Sequence, residues 1–479
     1  MTVQTTGLDP QAWAEEHLGD LDLGHAKRNQ RAMTIAAGFA ATPGKSIPQT
    51  FGNWYAIKAA YQFFADPSVT PDELQARHCE LTMAQLHQPG TYLLIEDTTE
   101  PSWGGPTKRL GLGRSGAQKS QRQGFQVHTT LAVCWPTTAA PTATGHRPPV
   151  VVLGIADQQM QVRGDAPPHE TRHARLLRAR ESQVWEVATT RLGTAPEHPA
   201  IRWVRVCDRG ADIYEFLAGC HTEGHGYVVR AAQDRAVVSA AGVVTGHLFE
   251  RARQALNLGE FNLGLRARHA QAARTAQLSV SATRLTLRAP WRPGHGRGTW
   301  RPLTCTVVRV WEAAPPDGVE GLEWFLLCDA AVTTFAQALE SALQYATRWL
   351  VEEFHKVLKT GLGIEQLQLE TGAALMAAVA LLSVVAVRLL HLREVVRLMP
   401  EAPAPASGLE PLELAVLAAQ TNRQLTTVRE VALAVGRLGG HLNRKSDGLP
   451  GWITLWRGYV TLQSLVDGVR LAPKLKSFG

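Results

Sequence analysis

Two short apolar runs, each stopping at an aspartate, constrain this chain more than any other feature. Tyr92-Leu93-Leu94-Ile95 runs into Glu96-Asp97, and the run from Ile201 to Cys207 ends at Asp208. Each reads as a buried strand with an acid at its carboxyl end. In open α/β sheets, side chains from the carboxyl ends of different strands converge and form ligand sites. Further strands are expected over residues 126–134, 150–155 and 324–328, with a charged helix over 168–193. That order predicts an α/β fold with a mixed-sheet core.

The rest of the chain is arranged around this core. With 479 residues, two or three domains are expected. Residues 1–70 read as helical and carry a small basic cluster, Lys27, Arg28 and Arg31, whose spacing puts Lys27 and Arg31 on one helix face. A turn at Thr42-Pro43-Gly44-Lys45 precedes a second helical stretch around 55–64. Residues 235–322 have a different texture: 276–287 alternate with period two, just after Arg266, Arg268 and Arg274, which predicts a β-rich insertion. A long helix is expected from Phe335 to Lys359, stopped by Gly361 and Gly363. Residues 401–408 read as a Pro/Ala linker before a helical tail. The expected domains are therefore 1–70, 71–375 and 376–479, flanking the core with helices at both ends.

Composition narrows the function classes. The net charge of +7 suits a polyanionic partner but is common in proteins that never meet one. The six cysteines are scattered without a CxxC pair, which argues against a zinc site or a disulfide framework and for a cytoplasmic protein. The acidic N-terminus lacks the basic start and apolar run of a signal peptide. The apolar segment 373–387 is 15 residues long and ends in Arg388, short of a spanning helix, so a buried core helix is expected and no membrane partner.

Carboxylates at converging strand ends suit hard cations such as Mg²⁺ and Mn²⁺. Two such ions roughly 3.5–4 Å apart can activate a nucleophile and stabilise a leaving oxygen in phosphodiester chemistry. A third carboxylate is needed, and Glu352 is the candidate. On a regular helix Tyr345, Arg348, Glu352 and Lys359 fall within a stripe about 60° wide, while Glu353 falls about 80° from Tyr345 on the other side. A phenol, a guanidinium, a carboxylate and an ammonium in line are unlike a core face. The plainer alternatives are a solvated charged face for this helix, and a turn or helix cap for either aspartate taken alone, as in Asp208-Arg209-Gly210.

These residues also resemble a family. Tyr345-x-x-Arg348-x-x-x-Glu352-x₆-Lys359 is similar to the Tyr-Arg-Glu-Lys signature of the bacterial DDE transposases of the insertion-sequence-four group. Its flanks resemble the family too: Arg348-Trp349, Glu352-Glu353-Phe354-His355-Lys356 and Lys359-Thr360-Gly361. So do Ile95-Glu96-Asp97-Thr98-Thr99, Val206-Cys207-Asp208-Arg209 and Ala211-Asp212-Ile213. The resemblance runs from Gly44-Lys45-Ser46-Ile47 to Leu462-Gln463-Ser464. It implies an RNase-H-like core interrupted by the β-rich insertion, an N-terminal domain that binds transposon ends, and a C-terminal helical dimerisation region. Three departures stand out: fewer lysines in the insertion, an unlike stretch over 162–180, and Tyr459 where a tryptophan is expected.

The resemblance implies roles. Asp97, Asp208 and Glu352 would hold two Mg²⁺ ions per site, with Mn²⁺ as a substitute. Tyr345, Arg348, Trp349, Lys356 and Lys359 would contact DNA, Arg348 as a bidentate fork and Lys359 as a point charge on phosphate. Arg230 would touch DNA, Trp324 would stack on a flipped base, and Lys27, Arg28 and Arg31 would bind the ends. The partners implied are double-stranded DNA and a second copy of the chain, in the cytoplasm and associated with the nucleoid. A non-cutting DNA-binding inhibitor and a generic RNase-H-like nuclease are the competing functions. The first should lack a carboxylate of the triad or the N-terminal domain, and the second would not need the Tyr-Arg-Glu-Lys face.

Overall fold

In the computed structural model the two apolar runs become strands β1 (Gly90–Thr99) and β7 (Ile201–Cys207), side by side and parallel, with Glu96 opposite Cys207. The structure describes residues 10–105, 109–116, 121–136, 148–164, 169–171, 181–265, 274–291, 300–444 and 447–475. On one side of β1 lie β5 (Gln126–Trp135) and then β6 (Val151–Gln161), each antiparallel to its neighbour. On the other side, beyond β7, lies β8 (Gly226–Arg230), again parallel. The central order β6-β5-β1-β7-β8 is a mixed sheet compatible with an RNase-H-like core.

The β-rich region continues this sheet edge to edge. β14 (Glu323–Cys328) pairs antiparallel with β8, and β13 (Leu303–Glu312), β12 (Arg274–Leu287), β9 (Ala236–Val238) and β10 (Val244–His247) follow in turn. β11 (Asn257–Leu265) pairs with β12, giving eleven strands among the described residues. Arg274 forks onto Glu312, with Nη2 at 2.8 Å. Arg266 and Arg268 lie outside the described residues. A second, small sheet of β2 (Ser102–Trp103), β3 (Gly113–Arg114) and β4 (Gln123–Gly124) follows the end of β1.

One continuous apolar core ties the helices to this sheet. It joins Trp13, Ile35, Phe39 and Phe64 of the N-terminal helices to Leu93 and Ile95 of β1 and Val204 and Val206 of β7. Leu350 and Phe354 enter it from the helix above the sheet, as does the helix Gly372–Leu398. That helix is 27 residues long and apolar enough to cross a membrane, but 83% of its most apolar window is buried inside the protein, so it is a core helix. It runs well past the 15 apolar residues of the sequence, through Arg388, which lies over the Trp13 ring at 5.4 Å. The opposite face of the sheet packs Cys207, Phe216, Leu217, Tyr227 and Val229 into a second core. The last three helices, Pro411–Thr421, Val428–Leu438 and Trp452–Leu475, bury Leu417, Val431, Val435, Leu462 and Val466 among themselves. Tyr459 lies here, its hydroxyl donating to Glu413 at 3.4 Å.

Three expectations need correction. The long helix after β14 is broken: Phe335–Thr347 and Trp349–Lys356 meet at a tight turn around Arg348, and Val357–Gly361 widens into a π-turn closed by the Leu362 N–H on the Val357 carbonyl at 2.8 Å. Lys359 therefore departs from a uniform 100° spacing. Residues 401–408 are not a free linker. Ala404 N–H donates to the Thr426 carbonyl and Val428 N–H to the Ala402 carbonyl, both at 2.9 Å, and Ala404 and Ser407 are buried. Of the charged helix expected at 168–193, residues 169–171 are not helical, Glu181–Gln183 is a single turn and Val184–Leu192 is a helix; residues 168 and 172–180 lie outside the described residues.

Candidate active site

Alternation along a strand decides which residues share a face. Leu93, Ile95 and Asp97 of β1 point to the side of the sheet covered by the Trp349–Lys356 helix, as do Val204 and Val206 of β7. The register, with Ile95 opposite Val206 and Glu96 opposite Cys207, carries Asp97 to the position beside Asp208. Both carboxylates are partly occupied by local backbone. Asp97 Oδ1 accepts from the Thr98 N–H and Asp208 Oδ1 from the Gly210 N–H, each at 2.8 Å. The cap role is thus real for Asp208, and it also aims the side chain.

Arg348 joins the third carboxylate to the first. Its Nη1 donates to Asp97 Oδ2 at 3.1 Å and its Nη2 to Glu352 Oε1 one helical turn on. The three side chains are only 15%, 21% and 25% exposed for Arg348, Asp97 and Glu352. Burial raises the Asp97 carboxyl above its ordinary range, Arg348 opposes this, and the charges of Asp208 and Glu352 push it up further. Burial works against the Arg348 charge too, but Asp97, Tyr345 and Glu352 outweigh it, so the guanidinium is held more firmly protonated than usual. Like charges crowded in a half-buried spot with one cation between them make a site that favours positive charge. Among the described residues no three His, Cys, Asp or Glu side chains stand close enough to hold an ion as placed, since the guanidinium lies between Asp97 and Glu352.

The other expected residues fall into two groups. Tyr345 is buried, and its ring meets Trp324 edge-on at 5.2 Å, so these two continue the line that leads to Arg348. Trp324 is half-buried against the core, a place that serves packing as well as an exposed face. Arg230, at the end of β8, is opposite Leu326 of β14 and donates to the Glu323 carbonyl at 3.4 Å. Lys359 donates from the π-turn to the carbonyl of Glu100, just past Asp97, at 3.0 Å. Burial and Arg122 lower the Lys359 pKa, against the pull of Glu365 and Glu100. Lys356 is exposed and sits over the Trp349 ring at 4.8 Å. Glu353, off the expected stripe, is buried at 4%.

Lys27, Arg28 and Arg31 belong to a separate place, the start of the helix Ala26–Ala41. Lys27 is exposed and Arg31 half-buried, whereas Arg28 forks onto Asp66 at 2.8 and 2.9 Å and caps the Leu23 carbonyl. Sequence reasoning missed two features. Trp54 and Tyr55, at the start of the helix Trp54–Ala65, are 71% and 85% exposed. Glu96, Arg205 and His128 form a buried polar network beneath the aspartates. The signal for the second was present: an arginine inside the apolar run Ile-Arg-Trp-Val-Arg-Val-Cys needs a buried counter-charge.

Residues 10–69 match a protein-family model described as Transposase DNA-binding. The matched segment covers the N-terminal helices that carry Lys27, Arg28, Arg31, Trp54 and Tyr55. The match supports a transposase that binds DNA.

Proposed function

We propose that the chain is a cut-and-paste DNA transposase of the insertion-sequence-four group, resembling the transposase of transposon five. It would bind transposon ends, nick them, form and open hairpins, and join the freed 3′ ends to target DNA. The observation that carries this reading is the Arg348 guanidinium bridging Asp97 and Glu352, with Asp208 at the end of the strand next to Asp97, in a chain whose N-terminal helices match a transposase DNA-binding family. The donor set is all carboxylate oxygen, which fits Mg²⁺ or Mn²⁺ and not a softer metal.

Asp97, Asp208 and Glu352 would hold two Mg²⁺ ions. Such ions supply activation of water or of the DNA 3′-hydroxyl and stabilise the departing oxygen. Arg348 compensates the carboxylate charge in the metal-free chain and would present its fork to phosphate in the DNA complex. Lys359, Lys356 and Trp349 would flank the strand, Tyr345 would donate a hydrogen bond to a phosphate oxygen, and Arg230 and Trp324 would meet the DNA along β8 and β14. A second copy of the chain would pair two ends in a synaptic complex. The test is to incubate the full chain with linear DNA carrying the inverted repeats of its own locus and Mg²⁺. Nicks at the repeat ends followed by hairpins support the reading; end binding without any cut contradicts it.

A further inference from the structure

The strands that carry Asp97 and Asp208 are joined beneath the site by an ion pair from which water is excluded. Glu96, adjacent to Asp97 on β1, and Arg205, on β7, are each 0% exposed and paired through Glu96 Oε1 and Arg205 Nε. By alternation both lie on the face of the sheet opposite the aspartates. His128 of β5, 1% exposed, completes the group: its Nε2 is 3.3 Å from Glu96 Oε2 and its Nδ1 is 2.8 Å from Thr98 Oγ1. A carboxylate only accepts, so Nε2 carries the proton that faces Glu96. Arg205 is held in turn by the Thr189 hydroxyl at 2.9 Å and lies over the Phe216 ring at 5.1 Å.

Such a pair is a poor source of stability, because removing two charges from water offsets most of their attraction, and well-packed apolar replacements are often neutral or better. Its geometry indicates another use. Glu96 and Thr98 flank Asp97, and both are tied to His128, so the direction of the intervening side chain is set from the other face. The Arg205 tie holds β7 against β1 in the register that puts Asp208 beside Asp97. Burial and the partners act together on Glu96: burial raises its carboxyl, while Arg205 and His128 more than reverse this and keep it ionised.

We propose that Glu96, Arg205 and His128 are positioning residues that fix the spacing and aim of Asp97 and Asp208 without touching ion or DNA. This rests on the metal-dependent reading above. The test is Mn²⁺ binding to the full chain by calorimetry, with thermal melting recorded alongside. The paired variant Glu96→Leu/Arg205→Met removes both charges of the ion pair together, so that no unpaired carboxylate or guanidinium is left buried, although the His128 Nε2–H loses its acceptor. It should melt within a few degrees of the parent yet bind Mn²⁺ about 10–100-fold more weakly, the usual effect of losing an outer partner of a metal ligand. Thr98→Val, which cuts only the His128 tie, should weaken binding in the same direction while Thr98→Ser retains it, so a misfolded paired variant does not remove the test. Parental Mn²⁺ affinity in Thr98→Val, or in a folded paired variant, overturns the proposal alone. If the parent shows no Mn²⁺ binding that Asp97→Ala abolishes, the metal reading fails and the proposal with it.

Discussion

Removing the guanidinium that bridges Asp97 and Glu352 should expose the electrostatic demand of the site. Arg348→Ala deletes two charge-assisted hydrogen bonds, each worth about 1.5–3 kcal/mol when buried. The side chains retain 15–25% exposure, so water offsets part of this and a loss of about 2–3 kcal/mol is expected. For a domain of this kind that lowers Tm by roughly 4–12 °C. The loss should depend on pH. Asp97 already sits above its ordinary range through burial and the charges of Asp208 and Glu352, with Arg348 opposing, so the variant's carboxyl rises further. A raised carboxyl binds more protons folded than unfolded, so its penalty is absent in acid and grows as pH rises through its folded pKa. The deficit should therefore be larger near pH 8 than near about pH 5. A divalent ion can replace the missing cation and should bind the variant more tightly than the parent, where Arg348 opposes it: at about 100 times the variant's Kd, Mn²⁺ contributes about 2.7 kcal/mol to the variant, so the deficit should shrink. Melting the parent and Arg348→Ala by scanning fluorimetry at both pH values, with Mn²⁺ and with chelator, checks this. A variant whose deficit is unchanged by pH and by Mn²⁺ refutes the reasoning.

Other outcomes follow from the same geometry. Lys27→Ala and Arg31→Ala should weaken binding to end DNA and flatten its salt dependence by about 0.9 per lost phosphate contact, whereas Arg28→Ala should chiefly lower Tm because it breaks the Asp66 pair; titrations at several salt concentrations separate the two. Trp324→Ala should still nick but accumulate nicked DNA, since a stacked base is worth roughly 1–3 kcal/mol, and an abasic nucleotide should partly rescue it. A parental hairpin rate, or an unfolded variant, would make Trp324 a core residue packed on Tyr345. Burial depresses His17 and His225 to about 4 and His78 well below 6.5, so the unfolded chain takes up protons first. Stability should be full above about pH 6.5 and fall toward about pH 4, and a Tm that stays flat across that window would contradict these assignments.

Much of this was legible in the sequence because burial leaves a local mark. The run before Asp97 is apolar on both faces and the run before Asp208 is apolar but for Arg202 and Arg205, so their strand character and their acid-tipped ends could be read without a partner. The period-two pattern of β12 was equally direct, yet it did not show that β14 and β8 would fuse the insertion to the main sheet, since strand pairing is decided by distant residues. Arg348 and Glu352, one turn apart, do meet, because spacing errors are small over four residues. The helix spacing was less good at Lys359, because the π-turn after Lys356 depends on packing around Gly361 and the last helix. The basic cluster shows the opposite limit: Lys27, Arg28 and Arg31 look alike in sequence, and only the position of Asp66 separates the arginine used internally from its neighbours.

The central claim is that Asp97, Asp208 and Glu352 act together in metal-dependent DNA cleavage. The most direct test measures end binding and cleavage on the same labelled end DNA, with Mg²⁺, for the parent and for Asp97→Ala, Asp208→Ala and Glu352→Ala. Glu353 is a poor control because it is buried, so exposed Glu320 serves instead as Glu320→Ala. The account predicts that each triad variant binds ends within a few-fold of the parent and makes no detectable nick, while Glu320→Ala cuts normally. A folded triad variant that still nicks at the parental rate would contradict it.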